Sequence, residues 1–102
     1  MRKRSPLPGR LRCARLRAGL RQKELGIRAG IDEFSASARI NQYEKGKHTP
    51  DYQTMERLAE VLGVPVPFFY TRDNTLADLI FAWGLLPVTE RKRLLKYVQS
   101  GS

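Results

Sequence analysis

Apolar residues recur at three- and four-residue spacing along nearly the whole chain, and glycines interrupt that rhythm at positions 19, 30, 46 and 63. This period lines apolar side chains along one side of a helix, whereas a half-buried strand needs strict alternation. No alternating run of Val, Ile, Thr and aromatic residues is present. The chain is therefore read as all-α, with five to seven helices. Its 102 residues supply one modest core and not two.

The spacing places the helices as follows. A proline- and arginine-rich arm over residues 1–10 leads into a first helix with Leu11, Ala14 and Leu16 inward, ended by Gly19. A short second helix runs from Gln22 to about Ala29 around Leu25. A third spans Ser35 to Lys45, with Ile40 and Tyr43 inward and Gly46 closing it. Asp51 stands where it can accept the free amides of a fourth helix, which repeats Met55, Leu58, Ala59 and Leu62 and stops at Gly63. The run Val64 to Tyr70 reads as a short fifth helix bringing aromatic mass to the core, because proline is tolerated in a first turn. Two amphipathic stretches follow. The first carries Leu76, Leu79, Ile80 and Trp83 and ends at Gly84; the second carries Leu94, Leu95 and Val98.

The formal charge is +9 and it is unevenly placed: residues 1–30 hold ten Lys/Arg against one acid, Glu24, while the rest balances. Charge of this size and sign favours a polyanionic partner. The basic start at Arg2, Lys3 and Arg4 is followed by Leu7-Pro8-Gly9-Arg10 rather than by an apolar signal-peptide core, and no apolar stretch approaches a membrane span. A cytoplasmic protein with no membrane association is expected, which the single cysteine, Cys13, also suits. An enzyme is not expected: His48 is the only histidine, no nucleophile–base set assembles around it, and no glycine-rich phosphate loop is present. One His and one Cys far apart do not make a metal site, so no cofactor or metal is expected.

From Leu11 to Tyr70 the chain resembles the phage Cro and repressor superfamily, the XRE-type helix-turn-helix regulators. The residues carrying the resemblance are Leu11-Arg12, Arg15, Gly19-Leu20, Gln22, Glu24-Leu25, Gly30, Ile40, Glu44 with Gly46, Pro50, Leu58-Ala59 and Leu62-Gly63-Val64, in that order. The resemblance implies a lambda-repressor-like five-helix DNA-binding domain over residues 11–70, with two extra C-terminal helices over 73–100. It implies a regulator of transcription, acting as a repressor on double-stranded DNA. Arg15 and Glu44 match an ion pair that fixes the third helix to the first, with a structural role. Gln22 matches a glutamine that bonds a phosphate and braces the third helix. Gly26 falls where the second and third helices should cross, and only a small residue permits close approach there.

Two departures from that family stand out. A Thr or Ser usually caps the second helix, and Arg21 stands there instead, losing a cap worth about 1 kcal/mol unless a bound phosphate uses the cation. The gap from Gly30 to Ile40 is also four residues longer than usual, about one helical turn. Asp32-Glu33-Phe34-Ser35 either lengthens the turn, with Phe34 packing inward and Ser35 capping, or extends the third helix back to an Asp32 cap; some extension is the expectation. Counted from Ile40 and Glu44, the base-reading positions implied by the family fall on Ser37, Ala38 and Gln42, flanked by Ala36 and Arg39, with Asn41 a further candidate. Gln42 can bond an adenine edge with both amide groups, and Arg39 a guanine or a phosphate. Arg12, Arg21, Gln22, Lys45 and Lys47 are the candidate phosphate contacts, and the basic arm is a candidate for backbone or minor-groove contact.

The C-terminal stretches carry more apolar residues than one helix stripe needs, among them Leu76, Leu79, Ile80, Phe81, Trp83, Leu85, Leu94, Leu95, Tyr97 and Val98. A homodimer contact is the expectation. The alternatives are completion of the core, or a groove for a protein partner as in an antitoxin or a coactivator-like adaptor.

Overall fold

The computed structural model describes residues 4–101. Its elements run α1 (Leu7–Arg17), α2 (Gln22–Arg28), α3 (Ala36–Glu44), α4 (Tyr52–Leu62), a 3-10 helix (Val66–Tyr70), α5 (Asn74–Leu85) and α6 (Val88–Gln99), with no strand among the described residues. The all-α reading holds. Leu11, Leu25 and Ile40 from the first three helices, Met55 and Leu58 from α4 and Phe69 from the 3-10 helix are fully buried and form the centre of the core.

Helix α1 begins inside the segment read as an arm. Pro8 lies in its first turn, where the missing N–H has no helical partner to lose and the fixed φ is already helical. Leu7, Leu11 and Ala14 then fall at i, i+4 and i+7 and are buried. Leu16, expected inward, sits five residues past Leu11 and so off that face; it is 53 % exposed.

Helix α4 starts as its sequence requires. The Asp51 carboxylate accepts the Thr54 backbone N–H at 2.8 Å. Hydrogen bonds from the Thr54 side chain and backbone hold the Asp51 pKa below its ordinary value of 3.8. The cap is therefore intact at neutral pH and is lost only as pH falls through that lowered value. The 3-10 helix brings Phe68 and Phe69 into the core edge to face, 5.4 Å apart.

The C-terminal helices bury little of their apolar surface. Only Ala77 of α5 is buried, with Ile80 and Phe81 packed against the core. The Phe81 ring lies 5.6 Å from that of Phe68, and the Arg17 guanidinium lies over it at 4.7 Å. Gly84 does not end the helix. A β-carbon there would lie 2.7 Å from Pro65 Cδ, so this glycine lets α5 close on the residues after α4, and the helix runs on to Leu85 before Pro87. No residue of α6 is buried. It is attached by Arg91, which donates from Nε to the Trp83 carbonyl at 2.9 Å and from Nη2 to the Gly84 carbonyl at 3.2 Å. The radius of gyration is 15.1 Å, against about 13 Å for a compact chain of this length, so the molecule is elongated.

Candidate nucleic-acid interface

Helices α2 and α3 meet at Gly26 and Ala36. A β-carbon on Gly26 would lie 2.7 Å from the Ala36 β-carbon, 3.0 Å from its α-carbon and 3.1 Å from its carbonyl oxygen. Both residues are buried. Ala36, read as flanking the base-contact positions, is therefore a packing residue: it faces α2, because the helix must turn one small side chain toward the crossing point.

The other side of α3 is open. Ser37, Ala38 and Arg39 are exposed and Asn41 and Gln42 half-exposed, while Ile40 and Tyr43 point into the core. The spacing of four residues stacks Ser37 beneath Asn41 and Ala38 beneath Gln42 on that side. At the C-terminal end Gly46 adopts a left-handed φ of 73°, and the N–H of Lys47 bonds back to the Gln42 carbonyl at 2.9 Å, closing the helix. Lys45 and Lys47 flank this turn and are exposed.

Behind the open side lies a connected polar network. Arg15 of α1 donates to Glu44 from Nε at 2.6 Å and from Nη2 at 3.0 Å, and from Nη1 to the Leu20 carbonyl at 2.9 Å. The two side chains are only 10 % and 3 % exposed. The bond to Glu44 pushes the Arg15 pKa above its already high ordinary value, so the guanidinium stays charged. Gln22 joins the same network: its amide nitrogen donates to Asn41 Oδ1 at 3.3 Å and to Glu44 Oε1 at 3.2 Å. Three helices are thereby tied together behind α3.

The inserted segment makes a longer turn and not a longer helix. Asp32 Oδ2 accepts the Phe34 N–H at 3.1 Å and the Ser35 hydroxyl at 3.4 Å, and the Asp32 carbonyl accepts the Ser35 N–H at 3.0 Å. Ser35 occupies the position before α3 without a side-chain cap bond. The local Asx turn competes with helix and wins. The longer turn is thus the alternative that forms, but without the inward packing of Phe34 that went with it: the ring points to solvent.

At the start of α2, Arg21 is exposed, and its backbone N–H donates to the Glu24 carboxylate at 3.1 Å. A guanidinium has no acceptor to return the bond, so half of a capping box forms. Glu24 three residues past the cap position was the available signal for it. Arg12 is exposed on α1. Of the arm, Arg4 borders a cleft with Lys45 and His48, while Arg2 and Lys3 lie outside the described residues. Arg10 is engaged elsewhere: it donates to the Thr71 and Arg72 carbonyls and to Asn74 Oδ1 at 3.0 to 3.1 Å. With Arg17 and Arg91 it belongs to the contacts that hold the C-terminal third, a use of arginine that net charge does not distinguish from phosphate binding.

Two helices crossing at a glycine–alanine contact, with the second braced from behind and open in front, are the parts of a helix-turn-helix. A model of the family described as helix-turn-helix domain matches residues 7–67, starting where α1 starts. The chain belongs to this family. The crystal structure of the transcriptional regulator BswR superposes with a TM-score of 0.86 at 46 % identity, covering 92 % of this chain and 93 % of that one. This helix-turn-helix protein is thus a DNA-binding regulator of transcription, matched over its C-terminal helices as well as its DNA-binding part. No curated protein matches it. Among the described residues no helix of the regulator is long and apolar enough to cross a membrane.

Proposed function

We propose that the protein is a sequence-specific repressor of the Cro and repressor type, acting in the cytoplasm as a homodimer, without catalytic activity or cofactor. The observation that carries this reading is the polar side of α3, held rigidly by the Arg15–Glu44–Gln22 network behind it. Rigid backing keeps base-reading groups in register with the groove. Gln42 is the principal base contact, suited to adenine; Ser37, Ala38 and Arg39 meet neighbouring bases. Asn41 accepts from Gln22 at its carbonyl oxygen, which leaves its two amide N–H donors and one oxygen lone pair for the bases. Gln22 acts as a brace, because both N–H groups of its amide already have acceptors. Arg12, Arg21, Lys45 and Lys47 supply phosphate contacts that position without specifying.

Titration of purified protein onto a duplex enriched from a random pool, and onto a scrambled duplex, tests this. The expected preference is about a thousand-fold or more, with affinity falling steeply in salt. Gln42→Ala should weaken the specific complex by roughly 5- to 150-fold and leave the scrambled duplex unchanged. Equal affinity of the wild type for both duplexes would overturn the reading.

The dimer reading rests on the apolar surface that α5 and α6 leave uncovered: Leu76, Leu79, Leu85, Leu95 and Val98 are all about half exposed or more. A face of this kind marks an association surface. Leu79 lies on it at 52 % exposure, whereas Phe81 contacts Phe68 and Arg17 and would report on the fold instead. Leu79→Ser is expected to convert a dimer to a monomer in light scattering at micromolar concentration, with the helical content retained. A wild-type monomer under the same conditions would contradict the dimer and favour a different protein partner on this face.

A further inference from the structure

Phe34 is the most exposed large apolar side chain among the described residues, at 89 %. It stands in the four-residue segment that lengthens the turn between α2 and α3, and that turn is built rather than loose, with the Asp32 carboxylate tied to both Phe34 and Ser35. Asx turns of this kind fix the local backbone. The ring is therefore presented to solvent from a defined position two residues ahead of Ala36, the first residue of α3. A recognition helix meets base edges with its N-terminal residues, so the group just ahead of that end is the next to reach the groove.

The chemistry of the turn narrows what it can meet there. Asp32 and Glu33 are carboxylates and the turn has no cation, so it is unsuited to a row of phosphates. Phe34 offers only an apolar ring, and the one apolar group on a base edge in the major groove is the C5-methyl of thymine. We propose that Phe34 is a specificity-determining residue that packs on a thymine methyl at the end of the half-site beyond the bases met by Ser37 and Ala38. This rests on the reading of α3 as the recognition helix and adds a contact from outside that helix.

The test uses wild type, Phe34→Ala and Phe34→Leu with a duplex enriched by the wild type. Each thymine is replaced in turn by deoxyuridine, which removes only the methyl. The wild type should lose about 5-fold in affinity at one thymine near an end of the half-site, the value of burying one methyl-sized group. Phe34→Ala should bind the parent duplex about 5-fold more weakly and show no further loss at that thymine, while its losses at other positions follow the wild type; Phe34→Leu should restore part of the affinity. Melting temperatures of the three proteins should agree, since the ring packs on nothing in the free protein. Unchanged affinity of Phe34→Ala, or an undiminished loss at every thymine, would overturn the proposal. A wild type that enriches no sequence at all would instead overturn the underlying reading of α3, so the two failures are distinguishable.

Discussion

Glu44→Ala is expected to lower the melting temperature by roughly 10–20 °C, the largest loss from any single truncation outside the apolar core. Removing one partner of a buried ion pair costs about 3–5 kcal/mol, because the remaining charge stays buried without its partner. Here the lower end applies: Arg15 keeps its bond to the Leu20 carbonyl and is 10 % exposed. A loss of about 3 kcal/mol in a domain of this size corresponds to that shift in melting temperature. The same substitution releases Gln22, which loses one of its two acceptors. Asn41 and the outward side of α3 are then less firmly held, and specific DNA affinity should fall beyond what unfolding explains. Glu44→Gln keeps an acceptor and should lose about half as much stability. The double variant Arg15→Met with Glu44→Met separates the two roles: apolar replacement of both partners is often near neutral for stability, whereas DNA affinity should stay low because Gln22 has lost its anchor. Thermal melts of all four proteins check this, and single variants that melt within about 3 °C of the wild type would show that the pair is not structural.

Gly26→Val should abolish specific DNA binding, and Gly26→Ala should reduce it at least ten-fold. A β-carbon at this position meets the α-carbon and carbonyl oxygen of Ala36 at 3.0 and 3.1 Å as well as its side chain. These are backbone atoms of α3, so the clash is relieved only if α3 shifts away from α2. Alanine gains about 1 kcal/mol of helix propensity, but overpacking of this kind costs roughly 1–3 kcal/mol, so its net effect on stability is modest and unfavourable. Binding suffers more than stability, because a displacement of about 1 Å removes side chains from base-edge hydrogen bonds that tolerate only a few tenths of an ångström. Circular dichroism and anisotropy titration on the same preparations measure both effects. A Gly26→Ala protein with raised melting temperature and undiminished affinity would show that the two helices do not meet here.

Much of this architecture is legible in the sequence, and the reasons differ from element to element. Helix α4 is read almost to the residue, because its cap Asp51, its apolar repeat and its stop Gly63 are all local signals. Gly26 is legible because close helix approach has few chemical solutions. The start of α1 is missed because Pro6 and Pro8 resemble helix breakers, although a first turn accepts proline. The inserted turn is misread for a different reason. Phe34 has the composition of a core residue, and only the competition between the Asp32 side chain and helical hydrogen bonding decides that it faces outward. At the site, the resemblance points to Arg15, Glu44 and Gln22, but the bond from Gln22 to Asn41 depends on the relative height of α2 and α3, which spacing alone does not fix. The arginines of the basic first third cannot be sorted by sequence at all: Arg12 and Arg21 are exposed, while Arg10 and Arg17 are committed to carbonyls and aromatic rings of the C-terminal third.

The central claim is that the open side of α3 reads base edges, and the most direct measurement is selection of bound duplexes from a random library by the wild type and by Gln42→Ala in parallel. The account predicts that the wild type enriches a pseudo-palindrome with half-sites about one helical turn, roughly 34 Å, apart. Gln42→Ala should lose the adenine preference at one position of each half-site and keep the rest. No enrichment by the wild type, or the same motif from both proteins, would contradict it.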